Sequence, residues 1–120
     1  MRSCRIVIAA LLGLVSVPAC ATAHAILMAS TPSAGASVSA GKLDMSFRYN
    51  SRIDRARSRL TLTGPDHTQS VLKIVPEGPP DLLQTNAVLA TPGAYVVRWQ
   101  VLAIDGHITR GDVPFTVTGH

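Results

Sequence analysis

Tyr95-Val96-Val97-Arg98-Trp99-Gln100-Val101-Leu102 divides its side chains with a period of two. Tyr95, Val97, Trp99 and Val101 fall on one face, and Val96, Arg98, Gln100 and Leu102 on the other. Successive residues of an extended chain point to opposite sides, so this is the pattern of a half-buried β-strand, opening straight after the turn pair Pro92-Gly93. Trp99 is expected to be the core tryptophan.

The same period recurs upstream. Leu43, Met45, Phe47 and Tyr49 alternate with Lys42, Asp44, Ser46 and Arg48, and Leu60 and Leu62 alternate within Arg59–Thr63, which Gly64-Pro65-Asp66-His67 stops. Val71 to Val75 reads as another strand ended by Pro76, Leu82 to Leu89 as a less regular one, and Val113 to Val117 as the last. Strands at intervals of about 8–12 residues, with no segment of helical period, predict an all-β domain, a small Greek-key β-barrel or sandwich. Loops at the ends of such a fold are where ligands bind.

The first residues have the layout of a secretory signal. Arg2 and Arg5 are its positive end, Ile6 to Val17 its short apolar run, and Ala21-Thr22-Ala23 its small-residue cleavage site. The run is shorter than the roughly 20 residues of a permanent membrane span, so removal is favoured over anchoring. The expected division is a signal peptide at 1–23 and one exported domain at 24–120. A rival reading takes Val17-Pro18-Ala19-Cys20 as a lipoprotein box, with Cys20 lipidated and retained, although Pro18 fits that box poorly.

Both cysteines, Cys4 and Cys20, lie in the leader, so the exported domain must rest on a packed core and offers no thiolate to a metal. Loss of Arg2 and Arg5 lowers the formal charge from +4 to +2. Five arginines cluster between Arg48 and Arg59, but one aromatic, Tyr49, and no recognisable motif accompany them, so a solvated strand edge and loop is favoured over a nucleic-acid patch.

The chemistry concentrates in Ile104-Asp105-Gly106-His107-Ile108-Thr109-Arg110-Gly111-Asp112, expected to be the loop between the last two strands. Asp105 and His107, two apart, would point to one side of an extended chain, with Gly106 letting it bend between them. Asp-Gly-His is also an ordinary turn. His24 changes the weighing: cleavage after Ala23 makes it the first residue, able to offer a metal its free amine and its imidazole. Amine, two imidazoles and a carboxylate suit tetragonal Cu(II), and zinc in tetrahedral geometry stays open.

Other residues have plainer readings. Met28 and Met45 are expected as core fillers, His67 as exposed in its turn, and His120 as a loose terminus. Arg98 and Arg110 are expected at the surface or behind the site, and Asp112 as a loop cap or an acceptor for a ligand imidazole. Ser, His and Asp are present without a nucleophile motif, so hydrolytic catalysis has little support.

With these residues in place the chain resembles the CopC family of periplasmic copper-binding proteins. The resemblance is carried by His24-Ala25, Thr31-Pro32, the strand ending in Phe47, Thr63-Gly64-Pro65-Asp66, Pro92-Gly93-x-Tyr95-x-Val97-x-Trp99, and Val101-x-x-x-Asp105-Gly106-His107 followed by Gly111 and Phe115. It implies a cupredoxin-like or immunoglobulin-like barrel with one Cu(II) site held by His24, Asp105 and His107. It further implies copper resistance, sequestration or transport, with an inner-membrane CopD-like transporter as partner. Two departures stand out. Phe47-Arg48-Tyr49 replaces the usual Phe-Ser-Glu, leaving Tyr49 and Asn50 as candidates for an outer position, and isolated Met28 and Met45 do not make a Cu(I) cluster.

Competing functions are an oxidative copper enzyme with an N-terminal histidine brace and a metal-free interaction module. The sparse aromatics and the added negative charge of Asp105 argue for holding Cu(II) over cycling it, so no enzyme is expected. Nor is a nucleic-acid partner or a small organic substrate, and the state expected is a monomer or weak dimer.

Overall fold

The computed structural model describes residues 25–119. Two open sheets face each other: Leu27–Thr31 (β1), Gly41–Tyr49 (β3) and Leu82–Leu89 (β6) form one in the order β1-β3-β6. Ser37–Ser39 (β2), Arg59–Thr63 (β4), Gln69–Leu72 (β5), Gly93–Leu102 (β7) and Ile108–Thr118 (β8) form the other in the order β2-β8-β7-β4-β5. Neighbours run antiparallel except β2 and β8. The all-β expectation holds, and of its two forms the sandwich is the one adopted.

The period of two sorts the core as expected. Met45, Phe47 and Tyr49 of β3 face Tyr95, Val97, Trp99 and Val101 of β7 across the sandwich, all buried. Trp99 meets Tyr49 edge to face, with centroids 5.3 Å apart and planes at 70°. Opposite Trp99 in the ladder sits Gly111. A Cβ there would lie 2.6 Å from the indole Cε2 and 2.8 Å from Nε1, so the indole occupies the space a side chain would need.

Four expectations change. The last strand begins at Ile108 rather than Val113, because Ile108–Asp112 pairs residue for residue with Arg98–Leu102. Small inward residues, Thr109 and Gly111, hid that alternation. The strand read at Val71–Val75 is Gln69–Leu72: Leu72 pairs with Leu60, and the chain then leaves toward the other sheet. There Lys73 O accepts from Thr85 Oγ1 at 2.7 Å, and Val75 N donates to Gln84 O at 2.8 Å.

Met28 is no core filler but 63% exposed, since a register shift between Leu27 and Ala29 turns it outward. The arginine-rich stretch departs at Arg55, in a 3-10 turn, whose Nη2 donates to Pro79 O (2.6 Å) and Leu82 O (3.0 Å). It ties two loops together rather than standing in solvent. Met45 is buried and His67 exposed, as read.

Candidate metal centre

The expected nine-residue loop is a tight hairpin connection. Gly106 N donates to Ala103 O at 2.9 Å, closing a turn over Ala103–Gly106, and Ala103 N donates to His107 O at 2.8 Å to restart the ladder. Gly106 has φ +93, where an L side chain is strained. Asp105 then caps the turn, Oδ1 accepting from His107 N at 3.1 Å, as aspartates in turns commonly do two residues on.

The other carboxylate oxygen reaches the ring: His107 Nδ1 and Asp105 Oδ2 are 2.7 Å apart. The two candidates do converge, through a turn rather than an extended strand. The His107 side chain is 63% exposed and that of Asp105 24%. A divalent ion bound at about 2.0–2.1 Å by an imidazole nitrogen and a carboxylate oxygen at right angles sets those donors about 2.8–3.0 Å apart. At 2.7 Å the pair is a hydrogen bond, a little shorter than that spacing, so the two atoms would have to give up this bond and open slightly to share an ion.

Among the described residues no three His, Cys, Asp or Glu side chains gather as a metal-binding group, so a fuller donor set must draw on residues beyond these. His24 lies outside the described residues. Its neighbour does not: Ala25 is 1% exposed, and its carbonyl accepts at 2.8 Å from Thr109 Oγ1, at the start of β8 and two residues after His107 of the turn. Ile26 is tied to Asn50 in both directions, N to Oδ1 at 2.8 Å and O from Asn50 N at 3.0 Å. Thr109 was not among the residues singled out from sequence.

Of the other candidates, Asn50 supports the start of the described chain. Tyr49 is core, its hydroxyl buried without a hydrogen-bond partner among the described residues, and burial pushes its phenol well above the usual range. Asp112 neither caps the loop nor meets an imidazole. It lies on the outer face of β8 and takes Arg98 in two bonds, Nε to Oδ1 at 2.9 Å and Nη2 to Oδ2 at 3.1 Å. That contact, chiefly the Arg98 hydrogen bonds, holds its carboxyl below the usual range. Arg110 likewise turns to Gln100, at 2.8 Å. Asp112→Asn is expected to leave metal affinity unchanged within about twofold, an exposed pair contributing little at a distance; a tenfold loss in titration would return Asp112 to the site.

The CopC domain matches residues 27–118, spanning both sheets and the Asp105–His107 hairpin. The chain belongs to the CopC family. Among curated CopC-like relatives, Copper resistance protein C of Pseudomonas syringae pv. tomato is 32% identical over 108 residues, covering 84% of this chain and 86% of that one. Protein YobA of Escherichia coli K12 is 31% identical over 98 residues, covering 79% of each. Among solved structures, CopC from Methylosinus trichosporium OB3b superposes with a TM-score of 0.71 at 28% identity, over 81% of this chain and 96% of that one. PcoC from Escherichia coli, described as a methionine-rich copper resistance protein, gives 0.62 at 26% identity, over 80% and 100%.

Proposed function

We propose that this CopC-family chain binds one Cu(II) ion in the periplasm, for sequestration or delivery to a membrane copper transporter, with His24, Asp105 and His107 as ligands. Two named relatives are copper resistance proteins, which supports the metal. The observation that carries the site is the bond from Thr109 Oγ1 to Ala25 O. It holds the residue next to His24 against the start of the strand that directly follows His107, and consecutive Cα atoms are only 3.8 Å apart.

After cleavage at Ala23, His24 would bring its amine and imidazole to the neighbouring oxygen and nitrogen of Asp105 and His107. Two nitrogens from one residue close a compact chelate, and mixed nitrogen and oxygen donors favour Cu(II), the strongest binder of the divalent series. Copper is cargo in this reading, with no chemistry performed on it. The arrangement needs the chain start held in place, a task of Thr109 and Asn50.

The test is titration of the exported protein, its first residue determined by N-terminal sequencing. One Cu(II) per chain is expected, with nitrogen coupling in its electron paramagnetic resonance spectrum. Thr109→Val should cost about tenfold or more in affinity, as loss of a supporting contact typically does, while the far-ultraviolet circular dichroism stays native. A folded Thr109→Val protein with undiminished affinity would remove the anchoring role, and a chain that takes up no copper would remove the whole reading.

A further inference from the structure

We propose that the end of the sandwich bearing the Asp105–His107 turn docks onto an anionic phospholipid surface, seating a lipid phosphate in an arginine-lined cavity beside that turn. Every group in this surface lies among the described residues, so it stands independently of the ligand assignment.

The cavity has a volume of about 480 Å³ and is lined by Arg52, Arg55 and Arg57 against one acid, Asp54, with Ile104 and Gly106 on the side of the hairpin. The backbone holds these segments together: Ile53 bridges to Ala103, and Asp54 N donates to Leu102 O at 2.8 Å. Arg55 is fixed by its two carbonyls. Arg57 is 76% exposed, and the acidic group nearest to it is Asp54 at 3.8 Å. Arg52 has no acidic side chain within ion-pair distance among the described residues. These cations are therefore barely neutralised from within.

Charge is also unevenly spread. Residues 48–59 hold five arginines against one acid, Asp54, while the rest of residues 24–120 holds four basic and six acidic side chains. The positive excess of that stretch thus belongs entirely to this segment. Guanidinium forks match phosphate oxygens in geometry, which makes phosphate the anion best suited to such a cavity.

Apolar tips surround the same end. Ile104 is 68% exposed, Ile26 54% and Ile108 50%; Ile104 and Ile108 flank the Asp105–His107 turn, and Ile26 is tied to Asn50 two residues before Arg52. Branched aliphatic side chains in water beside an excess of cations are the pattern of a surface that enters the headgroup boundary of a bilayer. A protein-binding hot spot would be built around aromatic anchors, and none of the exposed large side chains of the described residues is aromatic. Docked this way, the protein would present the Asp105–His107 turn to the membrane.

Co-sedimentation of the exported protein with vesicles of phosphatidylglycerol and phosphatidylcholine, against phosphatidylcholine alone, tests this. Binding is expected only to the anionic vesicles, and it should weaken as salt is raised. Arg52→Gln and Arg57→Gln should each reduce it about fivefold, both being exposed, while Arg52→Lys with Arg57→Lys retains most of it. Ile104→Ser should also weaken it, and copper affinity should be unaffected in the arginine variants. Equal binding to both vesicles, or unchanged binding of the Gln variants, overturns the proposal. So does an arginine-dependent shift with inorganic phosphate alone in the absence of vesicle binding, which would make a free anion the ligand. Arginine-dependent retention on an immobilised acidic peptide without vesicle binding would assign the surface to a protein partner instead.

Discussion

A protein carrying a single additional residue in front of His24 should lose more than about a hundredfold in Cu(II) affinity, although every side chain of the site is intact. The addition turns the terminal amine into an amide, removing one of the two nitrogens through which His24 would chelate. Losing a supporting contact typically costs 10–100-fold, and losing a ligand should cost more. His24→Ala removes the other nitrogen and should fall as far. The tie from Thr109 to Ala25 and that from Asn50 to Ile26 begin one residue later, so the extended chain keeps its fold. Calorimetric titration of the two chains under a competing chelator reads the difference directly. Equal affinities would mean that the amine is not a ligand, and would also reopen retention of the leader with lipid on Cys20.

Gly111→Ala should be the most destabilising small substitution in the domain. Its Cβ would lie within 2.8 Å of three atoms of the Trp99 ring, and the ring cannot step back. Trp99 is 7% exposed and Tyr49, in edge-to-face contact with it, is 1% exposed. Overpacking a closed core costs typically 1–3 kcal/mol, and the upper end, about 3 kcal/mol, is expected between a strand backbone and an indole. For a domain of this size that lowers Tm by roughly 12–24 °C. The damage should reach the site, because Gly111 and His107 share the β7–β8 hairpin. A urea midpoint indistinguishable from that of the parent would show that the indole has room to move.

These two positions differ in how openly the sequence announces them. β3, β4 and β7 are plain because large apolar residues recur at every second place, each facing one core. β1 and β2 are short edge strands, Leu27–Thr31 and Ser37–Ser39, that mix Ser, Ala and Thr with a few apolar residues and bury little, so alternation leaves no mark. The first half of β8 hides for the opposite reason: its inward residues, Thr109 and Gly111, are small, and at Gly111 the Trp99 ring fills the space a side chain would need. Asp105 and His107 are legible through their spacing and their resemblance to a known motif. Thr109 and Asn50 act across 84 and 24 residues of chain, and no local pattern encodes a partner that far away.

Burial of Ala25 has a further consequence, one of timing. A peptidase draws the residues on both sides of its target bond into an extended conformation in its cleft, and a residue 1% exposed with its carbonyl already engaged cannot be drawn out without undoing the surrounding packing. If the cut falls after Ala23, it has to be made while the chain is still emerging from the export channel. Maturation is then a race between the peptidase and the closing of the sandwich, and a precursor that folds first would keep its leader.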